Sequence, residues 1–267
     1  MPRRERKLRF NRARRHFLGF AAAAGARIAA IGAFSGTVVS ASAAKEKDKG
    51  DKGGPMCLLR GTAIMTPRGE VSIEDLRIGD LVETVRGEAL PVKWIGRHVY
   101  RRRSLTWNEE VVPIRIRRFA LDGRNPHKDL YISPGHALYI DGVLVRATDL
   151  VNGTSIAPAF PREVEVIEYY QIVLATHEVF LAEGAPVESF LLGARNYEGF
   201  TNFVEFVRLY PEDHDASMTP FAPIVGFGGR EHLKALLHLA LGRFAPVSSP
   251  LDDAYMRIAA RGEVLVD

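Results

Sequence analysis

A single cysteine, Cys57, stands in the 267 residues. No disulfide can form within the chain, and a zinc site built on several thiolates cannot be assembled from one; no Cys/His spacing suggests zinc either. Long apolar runs are also missing. The stretch from His16 to Val39 is dominated by alanine and glycine and is interrupted by Arg27, whereas a membrane-spanning helix needs about 20 predominantly apolar residues. A basic surplus is missing from most of the chain. The net charge is +4, but residues 1–54 hold a positive excess larger than that, so the remainder is mildly acidic. It offers no phosphate-binding face, which excludes nucleic acid as a partner. Before residue 190 no apolar pattern keeps a helical period for about ten residues, which excludes long helices from the body of the chain.

The N-terminus is rich in what the rest lacks. Arginines crowd residues 1–15, a weakly apolar run follows, and Ser40-Ala41-Ser42-Ala43-Ala44 closes it with small residues. A charged start, an apolar middle and a small-residue cleavage site predict a secretory signal over residues 1–44, cut after Ala43 or Ala44. An uncleaved membrane anchor is the competing reading, and Arg27 weighs against it. Arg14-Arg15-His16-Phe17-Leu18 resembles the twin-arginine export signal of bacteria. That resemblance implies a periplasmic or secreted protein, exported folded, with no stable membrane insertion once the signal is removed. Residues 45–56, charged and without a large apolar side chain until Met56, predict a disordered linker. It serves either as a spacer or to keep the Met56–Cys57 bond accessible.

From Cys57 to about residue 200, short period-2 runs alternate with turn residues. Strands are expected at Ala63–Thr66, Glu70–Ile73, Leu81–Val85, Val92–Tyr100, Val111–Phe119, Asp129–Ser133, His136–Ile140, Val143–Arg146, Val164–Leu174 and Val179–Leu181. Asp141-Gly142 is a hairpin signal, and Ala147–Leu150 reads as one helical turn. Arg115, Arg117 and the Arg101-Arg102-Arg103 run read as solvated faces. The fold class is all-β. The C-terminal extension, 201–267, has a loop over Pro211–Pro223 and two expected helices, Glu231–Arg243 and one begun by Ser249-Pro250 with Asp252 and Asp253 and running to about Arg261. Both read as packing helices, with a partner-binding pair as the alternative.

Cys57 by itself reads as a small buried hydrophobe, the usual place of a free cysteine. Its sequence context adds a second reading. Cys57 opens a strand-like run followed by Gly61-Thr62, Thr66-Pro67 with Gly69, Gly79-Asp80-Leu81-Val82 and Pro91-Val92-Lys93-Trp94-Ile95-Gly96. Downstream stand Ser133-Pro134-Gly135-His136 and Thr176-His177-Glu178-Val179-Phe180. In this order, over residues 57–195, the series resembles the bacterial Hint (Hedgehog/intein) domain, with Cys57 at the nucleophile position. The resemblance implies a horseshoe-shaped β fold of two pseudo-symmetric halves, placed at 57–200. It also implies autoprocessing, in which the Cys57 thiol attacks the Met56 carbonyl and converts the peptide bond to a thioester.

Such an N-to-S shift needs an ionisable thiol, a proton for the departing nitrogen and a held oxyanion. The Ser133 to His136 spacing matches the family's Thr/Ser-x-x-His motif, which implies that His136 is the general acid and that Ser133 hydrogen-bonds near the scissile carbonyl or His136. His177 assists resolution of the thioester, orients His136, or is a structural histidine. His16, His98, His127, His214, His232 and His238 have no such context. No cofactor or metal is expected. Splicing is disfavoured chemically, because Asn11, Asn108, Asn125, Asn152, Asn196 and Asn202 all lack a following Cys, Ser or Thr. The substrate is then the chain's own N-terminal segment, and the acceptor is water or an unknown nucleophile. Two other readings stay open: a non-catalytic exported binding or structural module that retains the fold, and a thiol hydrolase acting in trans through Cys57 and His136.

Overall fold

The computed structural model describes residues 56–104, 106–161, 164–225 and 250–265. The expected signal over 1–44, the linker up to Pro55 and the expected helix Glu231–Arg243 lie outside them.

The described residues form fifteen strands and two helices. The strands are β1 Leu58–Leu59, β2 Ala63–Thr66, β3 Gly69–Ser72, β4 Leu81–Glu83, β5 Ala89–Pro91, β6 Trp94–Arg101, β7 Ile114–Ile116, β8 Leu130–Ile132, β9 Ala137–Ile140, β10 Val143–Arg146, β11 Ile156–Pro158, β12 Val166–Val173, β13 Val179–Ala182, β14 Ala185–Glu188 and β15 Ile224–Val225. The helices are α1 Phe203–Leu209 and α2 Pro250–Val264. One sheet runs β11-β7-β8-β1-β12-β6, a second runs β15-β10-β9-β14-β13-β2-β3, and β4 pairs with β5. The predicted turn at Asp141-Gly142 joins β9 to β10; both residues have positive φ, 50° and 90°, as a two-residue hairpin turn requires.

Both large sheets feed one core. Leu58, Ile116, Ile132 and Ile172 from the first meet Ile64, Leu138, Phe180 and Val187 from the second. The first sheet buries its other face as well. Successive side chains of a strand point to opposite faces, so in β12 Tyr170 and Ile172 enter the main core while Ile167, Tyr169 and Val173 enter a second, aromatic cluster. At the start of β1, Leu58 faces the main core and Cys57 the aromatic cluster.

The segment Tyr197–Met218 closes that second cluster. Edge strand β6 would leave backbone groups unpaired, but Asn202 caps them: its Oδ1 accepts from Arg97 N (2.8 Å) and its Nδ2 donates to Ile95 O (3.0 Å), while Thr201 N donates to Arg97 O (2.7 Å). Gly96 is required here. A Cβ on it would stand 2.6 Å from the Phe200 ring. Trp94 donates Nε1–H to Glu205 in α1 (3.2 Å).

Several expected strands are shorter than their alternation suggests. Within Val111–Phe119 only Ile114–Ile116 pairs. Asn108 caps a tight turn over Glu109–Val111, Pro113 has no N–H to give a ladder, and Phe119 has φ 66°. Ile73 starts a tight turn instead of ending β3. Helix α1, with seven residues, is too short for a periodic signal. Helix α2 begins at the expected Pro250, extends to Val264 and buries Leu251, Ala254 and Ile258, the i, i+3, i+7 stripe of a packing helix. Among the described residues no helix is long and apolar enough to cross a membrane.

Candidate active site

The Met56–Cys57 peptide lies where the chain enters the first sheet between β8 and β12. Ser133, the residue after β8, grips Cys57 at two points. Its main-chain N donates to Cys57 O (2.8 Å), and its Oγ accepts from Cys57 N (2.7 Å). The nitrogen that would leave in an acyl shift is therefore held by the motif serine. The chain then turns over Pro134-Gly135, with His136 N donating to Ser133 O (3.1 Å). The tight turn at Ala147–Leu150 supports this loop from beneath: Ala147 N donates to His136 O (2.9 Å) and Thr148 N to Pro134 O (3.1 Å).

His136 is fully buried, and burial lowers its pKa to about 4. The carboxylate of Glu188 and a backbone contact with Met56 pull it upward, and His177 pushes it down. A backbone contact that favours the protonated ring must come from an acceptor, and the only one Met56 has is its carbonyl. That is the carbonyl Cys57 would attack. Among the described residues neither ring nitrogen completes a hydrogen bond. The ring is thus neutral at pH 7, beside the Met56 carbonyl with both nitrogens uncommitted.

Glu188 is the residue that sequence reasoning missed. It ends β14 and is buried; its Oε1 accepts from Ala137 N (2.8 Å) and its Oε2 stands 3.5 Å from His177 Nε2. His177 Nδ1 accepts from Phe221 N (2.9 Å), so in the neutral ring the proton sits on Nε2, facing Glu188. The carboxylate lies in the electrostatic reach of both histidines. One signal was available: an acidic residue, with Ser189 beside it, inside the otherwise apolar Pro186–Leu192 stretch.

Cys57 completes the set differently. Its thiol sits in the aromatic cluster with Trp94, Tyr169, Phe190 and Phe206, and burial pushes its pKa well above the ordinary value. Burial, together with the neighbouring Cys57, raises Tyr100 to about 12. The thiol is protonated at neutral pH and does not hydrogen-bond the unpartnered His136 ring.

The His136 shift has a consequence for folding. A histidine depressed in the folded state binds its proton more readily in the unfolded chain. Its contribution is present above the unfolded value of about 6.5 and is lost as pH falls towards about 4. Acid titration followed by circular dichroism should show stability falling through that window by up to about 3 kcal/mol, and His136→Gln should flatten the fall. An unchanged slope in the variant would contradict the assignment.

The sequence profile of the Hint domain matches residues 56–194. The chain belongs to the Hint domain family, an intein-like class consistent with autoprocessing. Among solved structures, it is similar to the MchDnaB-1 intein at 15% identity, over 49% of this chain and 98% of that one, with a TM-score of 0.35. It is also similar to the bacterial intein-like domain from Clostridium thermocellum (16%, 51% and 98%, TM-score 0.36) and to a DnaB intein from Synechocystis (12%, 51% and 99%, TM-score 0.35). No curated protein matches the chain.

Proposed function

We propose that this chain cuts itself at Met56–Cys57 by an N-to-S acyl shift, without splicing. The observation that carries the reading is the clasp on that one peptide, with its nitrogen on Ser133 Oγ (2.7 Å) and its carbonyl side against His136. The Cys57 sulfur attacks the Met56 carbonyl carbon; the C–S bond forms and the C–N bond breaks. The thiol proton ends on the freed Cys57 nitrogen, with His136 carrying it. Glu188 stabilises the imidazolium formed in transit. Water or an external nucleophile then takes the acyl group and restores the thiol.

Hydroxylamine tests this directly. Purified chain should release a fragment ending at Met56 as its hydroxamate, at a rate unchanged by dilution. No cleavage with hydroxylamine or any thiol would sink the proposal. Hydrolysis of added esters by an uncut chain would instead favour a hydrolase acting in trans.

A second reading, a non-catalytic module retaining the fold, is favoured by one observation. Cys57 is fully buried among aromatic rings with a raised pKa, the state of an inert structural thiol.

The arginine pair supports export of this domain through the twin-arginine route. A reporter fused to residues 1–48 should reach the periplasm and stay inside when Arg14 and Arg15 are both changed to lysine. Export that persists without the twin-arginine translocase would refute that assignment.

A further inference from the structure

We propose that Glu70, His127 and Glu183 form a binding site for a divalent zinc-class cation, separate from the Cys57 site and independent of any reaction there. The three come from distant stretches: β3, the loop before β8 and the turn between β13 and β14. Their ligand atoms all lie within 4.8 Å of one another. His127 Nε2 is 2.7 Å from Glu70 Oε1 and 3.5 Å from Glu183 Oε2. Two ligands bonded tetrahedrally to zinc at 2.0–2.1 Å are separated by roughly 3.3 Å, so only small shifts would admit the ion. One imidazole and two carboxylates leave at least one position for water, a common ligand set for zinc.

The observation that points to a ligand is Glu183. Its side chain is 7% exposed, its Oε1 accepts from Ala63 N (2.8 Å), and its buried Oε2 has no hydrogen-bond partner among the described residues. A buried carboxylate oxygen left this way is costly. Lys128 answers it only in part: Nζ stands 3.6 Å from Glu70 Oε2 and 3.7 Å from Glu183 Oε2, and that side chain is 62% exposed. An incoming cation would release Lys128 to water. The histidine is already aimed. His127 N donates to Glu183 O (2.9 Å), and the ring packs against Gly184, where a Cβ would stand 2.8 Å from Nδ1. Nε2 is thereby directed at the carboxylates. A bound ion would tie three segments together beside β2, whose first residue Glu183 already holds.

The test is a Zn²⁺ titration of the full chain against a chromophoric chelator, with the melting temperature as a second readout. The expected result is one equivalent bound with a raised melting temperature, unchanged in Cys57→Ala. His127→Ala and Glu183→Gln should each weaken binding at least about 100-fold, since even outer-shell partners are worth about 10–100-fold. Lys128→Ala, by removing the competing cation, should tighten it about fivefold. Should Glu183→Gln fail to fold, His127→Ala and Lys128→Ala decide, because both positions are partly exposed. Equal affinity in the wild type and His127→Ala overturns the proposal, as does loss of binding in Cys57→Ala. Weaker binding in Lys128→Ala overturns it too, because the lysine would then be supporting the site rather than occupying it.

Discussion

Replacing His136 with alanine should slow thiol-induced release of the Met56 fragment by about 10²–10⁴, the usual cost of deleting a positioned proton carrier. One proton has to move between two groups that do not share it. The buried Cys57 thiol keeps its proton at neutral pH, and the Cys57 nitrogen, whose one N–H already donates to Ser133 Oγ, needs a second proton before it can leave Met56. His136 stands against the Met56 carbonyl, is neutral, and has no competing hydrogen bond among the described residues. A base with a folded pKa of about 4 does not retain the proton it accepts. Glu188 makes the brief imidazolium tolerable without holding it permanently. His177→Ala should differ in kind. It leaves the Ser133 clasp and the His136 ring intact and removes the group facing Glu188 Oε2 and the acceptor of Phe221 N, so added thiol should still yield the fragment while spontaneous hydrolysis slows. Equal loss in both variants, with native circular dichroism in each, would mean that Glu188 binds the two histidines into one unit.

The second large effect belongs to Phe206. Its ring is fully buried, 5.1 Å from Trp94, 4.8 Å from Tyr197 and 5.3 Å from Tyr210 between ring centroids. Phe206→Ala should cost about 3–5 kcal/mol, or a fall in melting temperature of roughly 6–20 °C for a domain of this size. Because Phe206 and Cys57 share one cluster, the variant should also admit water near the thiol, lower its pKa and speed its reaction with iodoacetamide. Stability lost with no change in alkylation, measured where both proteins are folded, would show that α1 does not shield the thiol.

The fold class was legible because the body of the chain lacks helical periodicity and repeats turn residues. Asp141-Gly142 was legible because a tight hairpin demands positive φ at both places. Cys57, Ser133 and His136 were legible through two short motifs. What was not legible is what the sheets bring together. Glu188 reaches the histidines only because β14 pairs with β9, with Val187 opposite Leu138, and no local pattern encodes that register. Glu70, His127 and Glu183 escaped notice for the same reason. The very short strands β1 and β15 carry too few residues for any alternation to show. The raised pKa of Cys57 depends on Phe190, Phe200 and Phe206, which lie far from it in sequence.

The two-residue strand β1 sets a clock. Leu58 pairs with Ile132 on one side and Tyr170 on the other, so the first described strand waits for neighbours made 74 and 112 residues later. A ribosome adding about 5–20 residues per second needs roughly 7–26 s to travel from Cys57 to Glu188. Until Ser133 and His136 are made, roughly the first 4–16 s of that interval, the peptide bond at Met56 has no serine clasp and no histidine beside it. Under the proposed acyl shift, the order of synthesis itself would delay assembly of the machinery, with no inhibitor needed.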